Sequence, residues 1–98
     1  IKVAQELQKE YADLGVLLCG SAVGMAMTAN RFHGIYAAVA WNEESARVGR
    51  ADDNSNVLVI PTDFVSDEEA IEILRAWLRT EFKDGRYAER LKMIEGIK

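Results

Sequence analysis

The stretch LLCGSAVGMAMTANR, Leu17 to Arg31, sets the chain's single cysteine at the end of an apolar run and then passes through small residues into a helix-like segment near Val23. The connection CGSAVG leaves backbone N–H groups at a helix start without intrahelical partners, and such groups point toward a bound anion. The positive end of the helix dipole there also favours a thiolate over a thiol. Cys19 is thus placed to act as a base or nucleophile. The alternative is a thiol that only packs, as free cysteines usually do.

Other loop chemistries fail on particulars. A phosphate-binding P-loop needs a Lys-Ser/Thr pair after its last glycine, and here Met25 follows Gly24. A dinucleotide-binding fingerprint needs G-x-G-x-x-G, which Gly20-Ser21-Ala22 breaks at the second glycine. A cysteine hydrolase needs a histidine, and the single one, His33, lies beyond the following helix. Spacing leaves that pairing open in three dimensions.

The elements that must position this loop follow from periodicity. Ile1, Ala4, Leu7 and Tyr11 sit at helical spacing. LGVLLC then reads as a strand buried on both sides, and VGMAMTANRF as a helix of two to three turns ended by Asn30 to Gly34. GIYAAVAW is a second buried strand, and NEESARVGR a helix with Asn42 as N-cap. NVLVIP is a third strand, closed by Pro61. Ser66 with Glu69 forms a capping-box pattern that opens DEEAIEILRAWLRTEF, whose Ile71, Leu74 and Leu78 share a face. RYAERLKMIEGI is helical again.

Short buried strands alternating with helices imply parallel βαβ units, hence an α/β fold of three layers, a Rossmann-like α/β/α sandwich with a mainly parallel sheet. In such sheets ligands bind beyond the carboxyl ends of the strands, which is where Cys19 falls. Three strands make a thin sheet, so further strands or a partner chain are expected at its edge.

At 98 residues the chain, 1–98, reads as one domain or a piece of one. It is 49% apolar and 29% charged, as soluble globular proteins are, and a net charge of −4 gives no reason to expect nucleic-acid binding. No apolar run approaches the roughly 20 residues of a membrane helix. One cysteine forms no internal disulfide and fits no zinc spacing, so a reduced thiol and a cytoplasmic setting are expected. The chain opens on Ile1, inside a helical pattern, as a truncated or processed chain does, or one whose beginning is not included.

LGVLLCGSAVGMAMTANRFHGIYAAVAWNEESARVGRADDNSNVLVI resembles the central block of the ribose-5-phosphate isomerase B family, which includes the galactose-6-phosphate isomerase subunits, and WLRTEFKDGRYAERLKMI resembles its C-terminal block. The resemblance implies the C-terminal two-thirds of that fold, without a leading strand-helix-strand portion that supplies an Asp-His pair. It also implies interconversion of aldose and ketose phosphates through an enediolate, with no cofactor and no metal. That reaction needs a base, an anion cradle and a phosphate grip. By the resemblance Cys19 is the base. Ser21 stabilises the enediolate with Gly20, Ala22, Val23 and Gly24 around it, and Arg86 and Arg90 hold phosphate. The arginines are four apart and share a helix face, where a bound phosphate relieves their repulsion. Without a ligand they read as a solvated face neutralised by Glu89 and Asp84.

Several residues depart from the family pattern. Ala22 replaces a usual glycine, and if φ there is positive the cradle is distorted at a cost. Asp52 stands where a ring-opening histidine is usual, and Asp53 where a substrate-binding asparagine is. An aspartate is a poor acid at neutral pH unless burial or a neighbouring carboxylate retains its proton. Asp63 replaces a phosphate-binding arginine, which opposes phosphate binding. His33 reads as a surface residue, Trp41 and Trp77 as core or interface, and Met25 and Met27 as packing beneath the loop.

The expected partners are a sugar phosphate and a second copy of the chain, in a homodimer or a dimer of dimers. Two other readings stand beside the isomerase: a family member that binds a sugar phosphate without turning it over, and a structural subunit of a hetero-oligomeric isomerase.

Overall fold

The computed structural model describes residues 2–10, 13–83 and 86–96. The element order is α1 (Lys2–Gln8), β1 (Gly15–Cys19), α2 (Val23–Ala29), β2 (Ala37–Val39), α3 (Glu43–Ala51), β3 (Val57–Pro61), α4 (Asp67–Arg79) and α5 (Arg86–Glu95). The three strands form a parallel sheet in the order β1-β3-β2. This is the expected Rossmann-like α/β arrangement. Ile1, Tyr11 and Ile97 lie outside the described residues.

β3 is central, and all five of its residues are buried. Its side chains alternate between two cores, as the pleat requires. Val57 and Val59 meet Ala4, Ala22, Ala26, Ala29 and Ile35 beneath α1 and α2. Leu58 and Ile60 meet Ala40, Ala46, Ile73 and Trp77 beneath α3 and α4. The small residues of α2 let its backbone approach the sheet closely, which fixes where the Cys19 loop ends.

Two caps hold the second layer in place. Asn42 accepts from the Ser45 amide at 2.7 Å while Ser45 Oγ accepts from Asn42 N–H, and Ser66 and Glu69 make the same reciprocal pair. Trp77 Nε1 donates to the buried Ser55 Oγ at 2.8 Å, which satisfies both groups inside the core.

The structure corrects several expectations. β1 is not buried on both faces: it is an edge strand whose Val16 and Leu18 are 39% and 65% exposed, because α3 and α4 cover only β2 and β3 on that side. β2 is three residues long and half-buried. In α4 the buried residues are Ile73 and Trp77, whereas Ile71 and Leu78 face solvent. Met25 packs against the first core, but Met27 is 67% exposed. Trp77 is core as expected, and Trp41, read as core or interface, is not core.

Candidate active site

Cys19 is the last residue of β1, half-buried, and pairs in register with Pro61. Two backbone bonds tie the segment after β3 to the Cys19 loop: Thr62 N–H donates to the Cys19 carbonyl at 2.9 Å and Asp63 N–H to the Gly20 carbonyl at 3.0 Å. The loop then turns through Ala22, whose φ of +73° lies in the left-handed region and whose side chain is fully buried. The positive φ suspected from the sequence is therefore present at an alanine, and it costs about 1–2 kcal/mol.

Ala22 is also the N-cap of α2 and makes no side-chain cap bond. A methyl group offers no acceptor to the first-turn amides, so among the described residues Val23 and Gly24 N–H, unlike the capped starts of α3 and α4, have no capping side chain to donate to. Ser21, Val23 and Gly24 are exposed beside them. Cys19, Gly20, Ser21, Ala22, Val23 and Gly24 thus come together as one loop at the carboxyl end of β1. Its donors can receive an oxyanion and its thiol can take a proton. His33 is exposed in the turn before β2, at the opposite end of the sheet from Cys19, which rules out a Cys-His pair within one chain.

The other candidates lie at that opposite end. Asp52 is the C-cap of α3, and its buried Oδ1 faces Lys83 Nζ at 3.4 Å, an ion pair without hydrogen-bond geometry. Asp53 is exposed and lines a cavity of about 590 Å³ with His33, Tyr36, Leu91, Ile94 and Glu95. Lys83 N–H donates to the Ala51 carbonyl at 2.7 Å, which holds Lys83 beside Asp52. Arg86 is the first residue of α5 and Arg90 follows one turn later. Arg90 is exposed, and the Arg86 side chain lies outside the described residues. Across the five residues of β3 this cluster is about 16 Å from the Cys19 end. One copy of the described chain therefore separates the thiol loop from Asp52 and Asp53, and α5, whose Leu91, Ile94 and Glu95 line the cavity with Asp53, lies at that same far end.

Sequence reasoning missed Tyr36. Its hydroxyl donates to Glu95 and so fastens α5 to the start of β2. Burial first, then Glu95, pushes the Tyr36 phenol up to about 12. No spacing in the sequence signals a bond between residues so far apart. The nearness of Asp63 to the loop was equally hidden: a Cβ on Gly20 would lie 2.7 Å from Asp63 Oδ2.

The parallel α/β sheet, with a small-residue loop at a strand's carboxyl end and a thiol at its start, is a Rossmann-like α/β domain whose loop lies where such sheets bind ligands. The chain belongs to the Ribose/Galactose Isomerase family, whose model matches residues 1–94. It is 40% identical over 93 residues to a probable ribose-5-phosphate isomerase B of Mycoplasma genitalium, covering 94% of this chain and 61% of the relative. A ribose 5-phosphate isomerase of Thermotoga maritima matches in structure with a TM-score of 0.95 and 38% identity, covering 98% of this chain and 66% of that one. The Mycoplasma genitalium enzyme with bound ribulose-5-phosphate matches at a TM-score of 0.92 and 39% identity, covering 96% of this chain and 62% of that one. The chain thus spans a little under two-thirds of these relatives.

Proposed function

We propose that this domain is part of an aldose–ketose isomerase for a phosphorylated sugar, of the ribose 5-phosphate/ribulose 5-phosphate type. The observation that carries this is the Cys19 loop: a thiol at the strand end, followed at once by an uncapped helix start, in a family with a member crystallised with bound ribulose-5-phosphate.

Cys19, as thiolate, removes the proton from C2 of the open-chain aldose, and the electron pair forms the C1–C2 double bond of an enediolate. The loop amides of Gly20 to Gly24 and the Ser21 hydroxyl donate to the oxygen on which charge develops. The Cys19 thiol then returns a proton to C1 while the proton on O2 passes to O1, giving the ketose. Arg86 and Arg90 hold the phosphate. Asp52, in the position of the ring-opening group, and Asp53 contact the sugar. No cofactor takes part.

Because these groups sit at opposite ends of one sheet, the working site combines the Cys19 loop of one copy with the α5 cluster of another, in a homodimer or a dimer of dimers. The exposed apolar residues Val23 and Met27 flank Gly24 on α2, beside the loop, and supply a surface for that contact. A reducing cytoplasm suits an unpaired catalytic thiol. The test is turnover of ribose 5-phosphate by the native protein. Cys19→Ala is expected to lower kcat by about a hundredfold to ten-thousandfold, as loss of a proton-transfer base does, and kcat unchanged in that variant overturns the assignment.

A further inference from the structure

We infer that Tyr36 is a positioning residue for the phosphate grip: its hydrogen bond to Glu95 fixes the direction of α5, the helix that carries Arg86 and Arg90. The inference rests on the sugar-phosphate reading above and adds a residue to the phosphate half of that site.

Tyr36, the residue before β2, is itself held firmly. Its N–H donates to Asn56 Oδ1 at 2.8 Å, and its carbonyl accepts from the Asn56 and Val57 amides at 2.9 and 3.2 Å. Val57 is fully buried in the central strand, so the tyrosine backbone moves with the sheet. Tyr36 lines the cavity of about 590 Å³ together with Asp53, Leu91, Ile94 and Glu95, and its hydroxyl donates to the Glu95 carboxylate. Burial and Glu95 keep that hydroxyl protonated to about pH 12, so it is a donor throughout the neutral range.

The helix it holds is seated lightly. Leu91 is the one buried side chain of α5 among the described residues, while Met93 and Ile94 are 73% and 52% exposed. A helix resting on a single leucine can pivot about it. Glu95 follows Leu91 by four residues, on the same face, and its bond to Tyr36 gives the second fixed point that sets the direction of the axis. At about 1.5 Å per residue, Glu95 lies about 6 Å to one side of Leu91 and Arg86 about 7.5 Å to the other, with Arg90 next to the pivot. Each ångström that Glu95 shifts across the axis therefore carries the backbone of Arg86 about as far the opposite way. Without the bond a phosphate binds the fraction of molecules whose helix points correctly, and its apparent affinity falls by that fraction. Because the arginines hold the phosphate and not the reacting carbons, the loss falls on binding rather than on proton transfer.

The experiment measures kcat and KM for ribose 5-phosphate, and inhibition by inorganic phosphate, in the native protein, Tyr36→Phe, Glu95→Ala and the double variant. Each single substitution is expected to raise KM about fivefold, as loss of one hydrogen bond at an exposed position does, with kcat changed by less than about twofold. The inhibition constant of inorganic phosphate rises by the same factor. The double variant is no worse than either single one, since both substitutions remove the same bond. Glu95 is exposed, so Glu95→Ala carries the test even where Tyr36→Phe folds poorly. KM unchanged in Glu95→Ala, a fall in kcat with KM kept, or single effects that multiply in the double variant overturns the inference and leaves the isomerase reading in place. No turnover of ribose 5-phosphate by the native protein overturns that reading and the inference with it.

Discussion

Ala22 concentrates the cost of the loop in one residue. It holds φ +73° with a buried methyl group, so the left-handed strain and the packing of that methyl oppose each other. Ala22→Gly removes about 1–2 kcal/mol of strain. It also loses a methyl group worth about 0.8 kcal/mol and frees the unfolded chain by about 0.4–1 kcal/mol. Its stability by denaturant titration is therefore expected to stay within about 1 kcal/mol of the parent. Ala22→Val forces a β-branched residue into the same conformation and is expected to destabilise by more than about 2 kcal/mol. At this scale the sequence was readable where chemistry is local: the thiol, the missing P-loop lysine and the alanine in a glycine's place. It was silent on the Asp63–Gly20 contact, which exists only because β1 pairs with β3 rather than with its sequence neighbour β2.

Helix ends were legible for the same local reason, since a cap and its third residue are neighbours in sequence. Ser66→Ala is expected to cost about 1 kcal/mol by thermal or chemical unfolding. Glu69 accepts from the Ser66 amide at 3.0 Å, and that bond, with the Ser66 hydroxyl, holds its carboxyl below the usual range. A lowered folded-state value means that the unfolded state binds more protons, so this stabilisation is present above about pH 4.5 and is lost as pH falls below it. The melting difference between the parent and Glu69→Gln is expected to shrink as pH falls below about 4.5. The buried face of α4 was not legible. Ile71, Ile73, Leu74, Ala76, Trp77 and Leu78 surround the helix, and periodicity alone does not choose among them. Ile73 and Trp77 win because Trp77 finds Ser55 for its indole N–H, a partner twenty-two positions away that only the fold supplies.

Across the whole molecule, β3 joins two cores, β1 leaves one edge open, and the polar candidates divide between the two ends of the sheet. The parallel α/β class was plain from alternating strands and helices, but the division of the site was not, because strand order and the pairing of Lys83 with Ala51 and Asp52 are tertiary facts. The bond from Tyr36 to Glu95 ties α5 to the sheet. Since burial and Glu95 raise this phenol to about 12, the folded state holds its proton more tightly than the unfolded chain. The resulting stabilisation is complete below about pH 10 and is lost as pH rises toward 12, and Tyr36→Phe is expected to flatten that alkaline decline in melting temperature. A site shared between copies makes a sharper prediction. Cys19→Ala and Arg86→Ala chains, each inactive alone, are expected to recover about a quarter of full activity when unfolded together and refolded as an equal mixture, since half the dimers are then hybrids with one intact site. A mixture that stays inactive would place both groups in one chain. The most direct measurement of the central claim is solvent deuterium entering C1 or C2 of ribose 5-phosphate and ribulose 5-phosphate in heavy water. The native protein is expected to introduce it, and Cys19→Ala to introduce none above the uncatalysed rate. Equal incorporation by the two proteins would contradict a proton transfer through Cys19.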